Sequence, residues 1–591
     1  MTWSICMYLS YGILILLALL SIWSFFGKHK INKLSNIALA GVFIASMIML
    51  YPCYEPMYHG VEPAILDPLL ACAHHAIRLF IVDGEMSFVT ACVFEMAPPE
   101  VVSPYLMLAS ILFLAAPGFT FGFILSFFKS ISAYNQYLLR YRSDKYFFSE
   151  VNENTLALAE DIRRNHPKAL IAFADTDEKD LETHYNYVER LKSIRATCFN
   201  KDIASINVTL GSKNSKIFAF LFSLDEKANH KQASILRDKF SGKSNLTLYV
   251  HSVITDSELM PANEISDPKL KEQPKVKIRG VNDVRLLINN ILYNKGHLIF
   301  DRAAGSGEER VISALVIGMG NHGTEMLKAL PSFCQMDGYK AYMTAMDIGA
   351  RTSSVFSAQC PELMDDEHNG DFETVGESHY KISFFDGMDV TTSEFVAALE
   401  SMPVITYVFI SLGNDSLNIS TAKKVRAVCS KKGADPVIQA VVYDSDNTDI
   451  LENNKTGERF GIDFIGDIKT FYTEEVIMAS EVERAALQRH LKWGKENEFW
   501  DSEYNYKSSV ASAIHRKMKE HCRIDQIDRK LVDRDERAKE NIRILEHMRW
   551  NAYMRSEGYT LGPKKDKIAK THYDLVPFYQ LSPEAQAKDD D

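Results

Sequence analysis

Several patterns that would indicate a particular chemistry are missing from this sequence of 591 residues. The nine cysteines form neither a C-x-x-C pair nor the spacing of zinc ligands, so we expect no metal site and mostly reduced thiols. A formal net charge of −11 disfavours nucleic acid as a partner. No T-V-G-Y-G filter, P-loop or evident nucleophile–base pair is present, which argues against a potassium-selective pore and makes catalysis the weaker functional class.

Apolar runs of membrane-spanning length occur only in the first quarter of the chain. Residues 7–26, 34–51 and 105–128 are each long enough to cross a bilayer, and the first run lacks the features of a cleaved signal peptide. The connection 28–33 is basic, and basic residues also follow the third run. By the positive-inside rule, this predicts an integral protein of the inner or plasma membrane, with its N-terminus outside and residues after about 129 cytoplasmic. The lipid bilayer is therefore an expected partner.

The segment 52–103, between the second and third runs, is acidic and suits the outer side of the membrane. Residues 69–82 within it contain a histidine pair and are compatible with either a surface helix or a re-entrant segment. We favour the surface helix because intramembrane charge is costly. The sequence leaves open whether Cys53, Cys72 or Cys92 form a disulfide.

A glycine-rich turn near the middle of the chain follows an apolar run and precedes a helical pattern. It reads Gly318, Met319, Gly320, Asn321, His322 and Gly323. The first glycine permits the tight turn, the second lets the backbone approach a pyrophosphate, and the third lets the helix pack close to its strand. A later apolar run ends in Asp347, 24 residues after the last glycine, where an acid that binds a ribose hydroxyl is expected. The pattern predicts NAD or another nucleotide as ligand, and a purely structural Rossmann turn is the open alternative.

Strand-length apolar runs alternate with helical patterns after the membrane region, which predicts an α/β fold with two tandem, doubly wound Rossmann-like domains. We place the membrane region at 1–142 and the α/β domains at 143–297 and 298–478. Residues 276–279, with the helical pattern after them, are interpreted as the link between the two domains.

The two predicted domains differ in the turn after their first strand. In the first domain, the turn at 149–155 has asparagine and glutamate where the motif has glycine, so nucleotide binding is less expected there. In the second domain, Gly413 and Asn414 follow a later strand and are predicted to line the same crevice as Gly320, although a simple loop is equally compatible.

Tandem α/β domains behind membrane helices resemble the TrkA-type or RCK family, the cytoplasmic regulatory domains of cation channels and transporters. The resemblance rests on Gly318, Gly320, Gly323 and Asp347, together with the degenerate turn at 149–157, and covers roughly the middle half of the chain. It implies nucleotide- or ion-sensing domains that pair into dimers or gating rings. A homo-oligomer, either a dimer or a tetramer, is therefore expected.

Residues 479–591 are predicted to form a helical connector and a small helical domain. Four short motifs occur in order at 545–554, 557–559, 562–563 and 570–578. In this order they resemble the ryanodine-receptor repeat, a module that also occurs in bacterial proteins. Bacterial members of that family are suspected of recognising nucleotide ligands in immunity systems, so the resemblance implies a nucleotide-like ligand and a role in antiviral defence.

Four side chains of the first motif recur at helical spacings of three and four. Glu546, Arg549, Trp550 and Tyr553 are predicted to share one face, on which a nucleobase stacks and a phosphate pairs with the guanidinium. His572, from the last motif, is assigned to the same ligand site. The open alternative is a helical hairpin with Trp550 in its core and Arg549 in a salt bridge.

Taken together, these patterns favour a membrane-anchored, oligomeric receptor or effector that senses a nucleotide-like ligand and gates or perturbs the membrane, with an ion channel as one possible form. Two alternatives stay open. One is a membrane-tethered NAD-dependent enzyme, and the other is a regulatory subunit of a separate channel or transporter.

Overall fold

A computed structural model of the chain describes fourteen stretches of residues. These are 2–26, 34–58, 66–81, 84–117, 137, 142–174, 176, 185–209, 215–253, 276–305, 310–364, 379–444, 460–522 and 536–589. They belong to two compact units, Met1–Leu139 and Arg140–Asp591.

The first unit is helical throughout most of its described part. Its helices are α1 (Thr2–Phe26), α2 (Leu34–Tyr54), α3 (Leu66–Phe80), α4 (Met86–Met96) and α5 (Pro99–Pro117). Three windows are long and apolar enough to cross a membrane, namely Thr2–Leu20, Ala38–Tyr58 and Pro99–Pro117. They coincide with the three predicted spans, except that residues 118–128 of the third lie outside the described residues. The structure is thus compatible with a membrane protein.

The segment predicted as a surface or re-entrant helix is α3, which packs against α2. His75 is buried, and its Nδ1 atom lies 2.9 Å from the hydroxyl of Tyr54 on α2. Cys53, Cys72 and Cys92 are buried in the same apolar cluster, and all nine cysteines of the chain are free. The structure therefore contains no disulfide among these thiols.

The second unit contains two six-stranded sheets with the same strand order. The first sheet consists of β1 (Lys145–Phe148), β2 (Leu170–Phe173), β3 (Thr197–Cys198), β4 (Ile217–Leu221), β5 (Leu246–His251) and β6 (Lys277–Val281), ordered β3-β2-β1-β4-β5-β6. The second consists of β7 (Arg310–Ile317), β8 (Tyr339–Asp347), β9 (Tyr380–Asp386), β10 (Tyr407–Ile410), β11 (Val437–Val441) and β12 (Ile462–Ile465), ordered β9-β8-β7-β10-β11-β12. Neighbouring strands are parallel throughout both sheets. This order is that of a Rossmann-like fold, so the predicted α/β class is confirmed at that level.

Helices connect and cover these strands. In the first domain they are α6 (Glu153–Asn165), α7 (Tyr185–Ser193) and α8 (Glu226–Lys239), followed by α9 (Asp283–Lys295) and α10 (His297–Asp301). In the second domain they are α11 (Asn321–Phe333), α12 (Thr352–Gln359), α13 (Ser393–Ser401), α14 (Asp415–Lys431), α15 (Ile468–Phe471) and α16 (Glu474–Ala479).

Residues 277–279, which were expected to be part of a link between the domains, belong to β6, the edge strand of the first sheet. Lys277 and Gly280 are exposed there, so the strand carries no continuous apolar run. Strand β12, at the edge of the second sheet, is short and only partly buried. Edge strands of this kind lack the two buried faces that give central strands their apolar pattern.

The two domains repeat one internal detail. Asn229 on α8 and Asn418 on α14 each lie four residues after the N-cap of the helix that follows the fourth strand. Asn418 accepts from the Leu412 N–H at 2.7 Å and donates to the Val441 carbonyl at 2.7 Å. Asn229 makes the equivalent pair of bonds across its own fourth and fifth strands. The shared bridge supports internal duplication of the α/β fold.

The helices after the last strands of the two sheets are exchanged. Helix α9 follows β6 of the first domain and packs against α11 of the second, whereas α15 follows β12 of the second domain and packs against α6 of the first. Asn154 of α6 donates to the Tyr472 hydroxyl at 2.9 Å, and this hydroxyl donates to Asp283 of α9 at 2.5 Å. The reciprocal exchange holds the two domains together.

The remaining elements pack on α9 of the first domain and on the second domain. They are α17 (Glu481–His490), α18 (Glu496–Asp501), α19 (Glu503–His521), α20 (Glu536–Ser556), the two-stranded parallel pair β13 (Thr560–Leu561) and β14 (Thr571–His572), and α21 (Pro583–Gln586). The predicted helical connector is thus divided into three helices. Helix α20 lies against α11, the helix that begins at the glycine-rich turn.

Candidate functional site

Two glycines of the predicted nucleotide motif are required by close packing. Gly318 has φ +87°, and a Cβ at this position would lie 2.4 Å from the carbonyl oxygen of Ser411. A Cβ on Gly323 would lie 1.8 Å from the carbonyl oxygen of Gly318. Any side chain at either position therefore forces the turn or its neighbouring strand to move.

Gly320 is in a different situation, because a Cβ there would meet nothing within 4 Å. It is the N-cap of α11, and no side chain caps the first turn of this helix. Both Gly320 and the following Asn321 are exposed. The helix therefore presents uncapped backbone N–H groups and the positive end of its dipole to open space, which is the arrangement that binds an anion such as a pyrophosphate.

Asp347, the predicted ribose ligand, lies at the end of β8 beside the glycine-rich turn. Its carboxylate accepts from the Met319 N–H at 2.8 Å, from the Gly349 N–H at 2.7 Å and from the Thr352 hydroxyl at 3.1 Å. A carboxylate has about four acceptor positions. Asp347 thus fixes the turn to β8 and retains capacity for one further donor, such as a ribose hydroxyl.

The loop after β10 borders the same crevice. Strand order reverses between β7 and β10, and Gly318 at the end of β7 contacts Ser411 at the end of β10. Gly413 has φ +73° and is exposed, while Asn414 caps α14 by accepting from the Leu417 N–H at 3.0 Å. The predicted position of Gly413 and Asn414 beside the glycine-rich turn therefore agrees with the topology.

Ser411 is a feature of this crevice that the sequence analysis did not select. Its side chain is buried, and its hydroxyl oxygen makes no hydrogen bond within the described part of the chain. A buried polar atom of this kind usually has a partner. A serine at the end of a strand is too common to signal such a role from sequence alone.

His322, the remaining residue of the motif, packs its ring edge-to-face against Tyr443 with centroids 6.1 Å apart. Burial lowers the pKa of His322, and the nearby carboxylate of Asp283 only partly opposes this effect. The imidazole is therefore neutral near pH 7 and adds no charge to the crevice.

The corresponding turn of the first domain is filled by side chains. Asn152 caps α6 by accepting from the Thr155 N–H, and its side-chain amide donates to Glu150 at 2.8 Å and to the Phe222 carbonyl at 2.8 Å. Ser149 accepts from the Phe222 N–H at 3.0 Å. These bonds span β1 and β4, where the strand order of the first sheet reverses. Side chains occupy the position that is open in the second domain.

The predicted C-terminal ligand residues are mostly buried. The guanidinium of Arg549 donates twice to Oε1 of Glu546, at 2.8 and 3.0 Å, within helix α20. The other carboxylate oxygen of Glu546 lies 3.8 Å from Lys519 and 3.9 Å from His515, both on α19. This ion pair is the arrangement that the hairpin alternative expects, and ligand binding by these two residues stays a prediction.

Trp550, Tyr553 and His572 lie in two further environments. Trp550 stacks on His547, with centroids 5.7 Å apart, and meets His572 edge-on at 5.0 Å. Burial lowers the pKa of His572 to about 4, so this ring is neutral at pH 7. Tyr553 lines a cavity against α9, α11 and α19. The five residues therefore do not form one exposed face.

The crevice of the second domain has four features that bear on nucleotide binding. It combines an uncapped helix N-terminus, open space at Gly320, spare acceptor capacity on Asp347 and the hydroxyl of Ser411, which has no hydrogen-bond partner among the described residues. Among the residues that the structure describes, no group of three or more His, Cys, Asp or Glu is placed to hold a metal ion.

Comparisons with known proteins add little to these observations. No protein-family model matches the chain, and no curated protein matches it either. Among solved structures, the crystal structure of the PH0520 protein from Pyrococcus horikoshii OT3 aligns with 66% of this chain and 97% of its own, at 10% identity and a TM-score of 0.19. A similarity this weak supports no conclusion about fold or function. The fold and the crevice themselves define a protein with three candidate membrane-spanning helices and two Rossmann-like domains.

Proposed function

We propose that this protein is a membrane-anchored, oligomeric receptor or effector that binds NAD or another nucleotide in the crevice of its second α/β domain. Binding changes the arrangement of the cytoplasmic domains, and this change gates or perturbs the membrane. The proposal treats the nucleotide as a signal that is recognised.

The observation that carries the proposal is the contrast between the two turns at which strand order reverses. Asn152 and Glu150 fill the first crevice, whereas the second is open at Gly320 and is bordered by an uncapped helix. Filling one crevice and leaving the other open is the expected result when only one of two duplicated domains retains a ligand.

Each part of a bound nucleotide can be matched to a group of the protein in the crevice. The backbone N–H groups at Gly320 and Asn321 would hold the phosphates, and Asp347 would accept from a ribose hydroxyl. The Ser411 hydroxyl would gain a polar partner. NAD bound in this way would supply a hydride acceptor, and the sequence offers no evident group to use it.

Transmission can begin at α11, because one end of this helix forms the crevice and its sides contact other domains. His322, in its first turn, lies against Tyr443 and near Asp283 of the exchanged helix α9. Glu325, one turn later, pairs with Arg285 of α9 at 3.0 Å, and α20 packs along the same helix. A nucleotide that favours one arrangement of these contacts would shift the population of the whole assembly.

Assembly into a dimer or tetramer and the link to bacterial immunity are supported by the resemblance to TrkA-type and ryanodine-repeat modules. The outside location of the N-terminus is supported by the distribution of basic residues. These parts of the proposal require direct measurement of oligomeric state and topology.

A vesicle experiment tests the proposal. The full-length protein is reconstituted into dye-loaded vesicles and exposed to NAD, NADH and AMP. We expect nucleotide-dependent leakage that Gly320→Asp abolishes, because the added carboxylate repels phosphate, while a Cβ at this position meets no atom within 4 Å. Gly320→Ala, which adds volume without charge, should have a smaller effect.

Two outcomes would count against this function. Leakage that Gly320→Asp leaves unchanged would exclude the crevice as the sensor. Steady consumption of NAD or NADH by the purified protein in the presence of cell extract, without leakage, would favour the membrane-tethered enzyme.

A further inference from the structure

A cavity lies between helices α9, α11, α19 and α20, apart from the nucleotide crevice. The space between its lining residues is about 630 Å³, a value that includes open solvent. Glu325, Lys328 and Ser332, at helical spacings of three and four, line its wall on α11. Tyr553 and Glu557 line its wall on α20. The cavity therefore joins segments that are far apart in sequence, as ligand pockets at domain interfaces often do.

The wall of the cavity contains hydrogen-bond donors that the protein does not use. Arg285 donates from Nε to Glu325 at 3.0 Å, but its two Nη atoms lie 3.8 Å from Glu503 and Glu557, which is too far for a hydrogen bond. Lys328 makes no hydrogen bond within the described part of the chain, and its ion-pair partner Glu325 is 3.9 Å away. Two cations therefore face the space with spare donors.

The same wall contains spare acceptors. Oε1 of Glu557 has the 3.8 Å contact with Arg285, while Oε2 is held by Lys507 at 3.1 Å. Oε1 of Glu325 has only the 3.9 Å contact with Lys328. Burial would raise the pKa of Glu557, but the charges of Lys507 and Arg285 outweigh it and lower the pKa to about 2. The carboxylate is therefore ionised at neutral pH.

Part of the remaining lining is apolar. It is formed by Ile288, Leu292, Phe333, Val510 and Ile514. A ligand with only a negative charge would pair with the cations but would place a further negative charge close to Glu325 and Glu557. This repulsion costs free energy at low dielectric. A ligand that carries both charges satisfies both sets of atoms.

We propose that this cavity binds a small zwitterion of the amino-acid class with an apolar side group. Its carboxylate accepts from Arg285 and Lys328, its ammonium donates to Glu557 and Glu325, and its side group lies against the apolar wall. The inference rests on the geometry of the cavity and does not depend on nucleotide binding. Because α11 forms one wall, such a ligand also contacts the helix that begins at the nucleotide crevice.

Calorimetry on the detergent-solubilised full chain tests this proposal. The twenty standard amino acids are screened first, and leucine, leucinamide, N-acetylleucine, inorganic phosphate and AMP are then compared. We expect leucine or another apolar amino acid to bind. Leucinamide, which lacks the carboxylate, and N-acetylleucine, which lacks the ammonium, should each bind at least about tenfold more weakly, a difference of about 1.4 kcal/mol.

Variants locate the site. Lys328→Met and Glu557→Gln should each weaken amino-acid binding about tenfold, whereas Lys492→Met and Glu496→Gln, which change exposed residues, should leave it unchanged. Near-ultraviolet circular dichroism shows whether each variant remains folded. If Glu557→Gln disturbs the fold, Lys328→Met together with the leucinamide comparison still decides the question, because Lys328 makes no hydrogen bond that its loss would break.

Three results would overturn the proposal. The first is that no amino acid binds at concentrations up to about 10 mM, well above typical dissociation constants for metabolites. The second is that phosphate or AMP, and no amino acid, binds in a manner sensitive to Lys328→Met, which would make the cavity an anion site. The third is equal binding of leucine and its two derivatives. Binding of AMP that depends on Gly320 and not on Lys328 would concern the nucleotide crevice alone.

Discussion

The turns after β1 and β7 occupy the same place in two sheets of the same strand order, yet they are built from different residues. After β1, Asn152 and Thr155 form a capping box, and the Asn152 amide reaches the end of β4. After β7, Gly320 and Gly323 occupy the same N-cap and third helical positions of α11. One turn is stabilised by side chains, whereas the other leaves its backbone groups without a side-chain cap. Topology alone therefore does not make a Rossmann-like domain a binding domain.

The largest effect is expected at the third helical position of the two turns, when the threonine of the first domain replaces the glycine of the second. Gly323→Thr would put a side chain 1.8 Å from the Gly318 carbonyl, so we expect a loss of at least about 4 kcal/mol or failure to fold. The reciprocal change, Thr155→Gly, should cost about 1–2 kcal/mol, because it removes one side of a capping box. Thermal unfolding of both variants compares the two losses of stability. Equal costs would show that the close approach of Gly323 is not required.

The same contrast shows what the sequence can predict. Strands β1 and β7 are buried on both faces, so their apolar runs are evident in the sequence. The spacing of the glycines in the second turn indicates that the backbone of the turn lies close to its neighbours. The edge strands β6 and β12 show no such apolar runs, because β6 has exposed residues and β12 is short and partly buried.

The cavity between the helices was also beyond sequence analysis. Arg285, Lys328, Lys507 and Glu557 lie in four different helices or helix ends, and no local spacing connects them. The helical spacing of Glu546, Arg549 and Tyr553 places them on successive turns of α20. Periodicity alone does not show that other parts of the protein bury these side chains.

The second prediction concerns a feature that the two domains share. Asn418→Ala removes two hydrogen bonds to backbone groups, and Asn229→Ala removes three. We expect each to cost about 2–4 kcal/mol, with similar values for the two variants. Urea denaturation of the full chain, followed by tryptophan fluorescence, measures both. A large loss for one variant and none for the other would argue against a duplicated structural role.

A smaller effect is expected from the cap of the first turn. Asn152→Ala removes the N-cap of α6 and the bond to the Phe222 carbonyl, and should lower the free energy of unfolding by about 1–2 kcal/mol. Because the ligand is assigned to the second domain, nucleotide binding should be unchanged. A change in nucleotide affinity with this variant would contradict the assignment of the ligand to the second domain.

The smallest effect is a pH dependence confined to the first domain. Burial alone would lower the pKa of His251, but the interaction with the carboxylate of Asp283, 3.2 Å away, outweighs it and raises the pKa. The stability from this pair is therefore complete below about pH 6.5, the unfolded value for histidine, and is lost as the pH rises through the higher folded value. We expect less than about 1 kcal/mol.

His251→Phe tests this pH effect while keeping a ring beside Phe222. Between pH 6 and pH 8.5, the wild-type melting temperature should fall relative to that of the variant. The carboxylate of Asp283, which lies next to His251, has a lowered pKa and titrates below this pH range. It therefore does not contribute to the difference between the two proteins. Parallel curves for the two proteins would show that His251 does not titrate with folding.

The most direct test of the account is nucleotide binding to the full chain in detergent, measured by calorimetry for the wild-type protein, Gly320→Asp and Asn152→Ala. NAD and AMP are the probes. The account predicts saturable binding of at least one of them to the wild-type protein, loss of that binding in Gly320→Asp, and unchanged binding in Asn152→Ala. Binding that survives Gly320→Asp, or that Asn152→Ala abolishes, would contradict it.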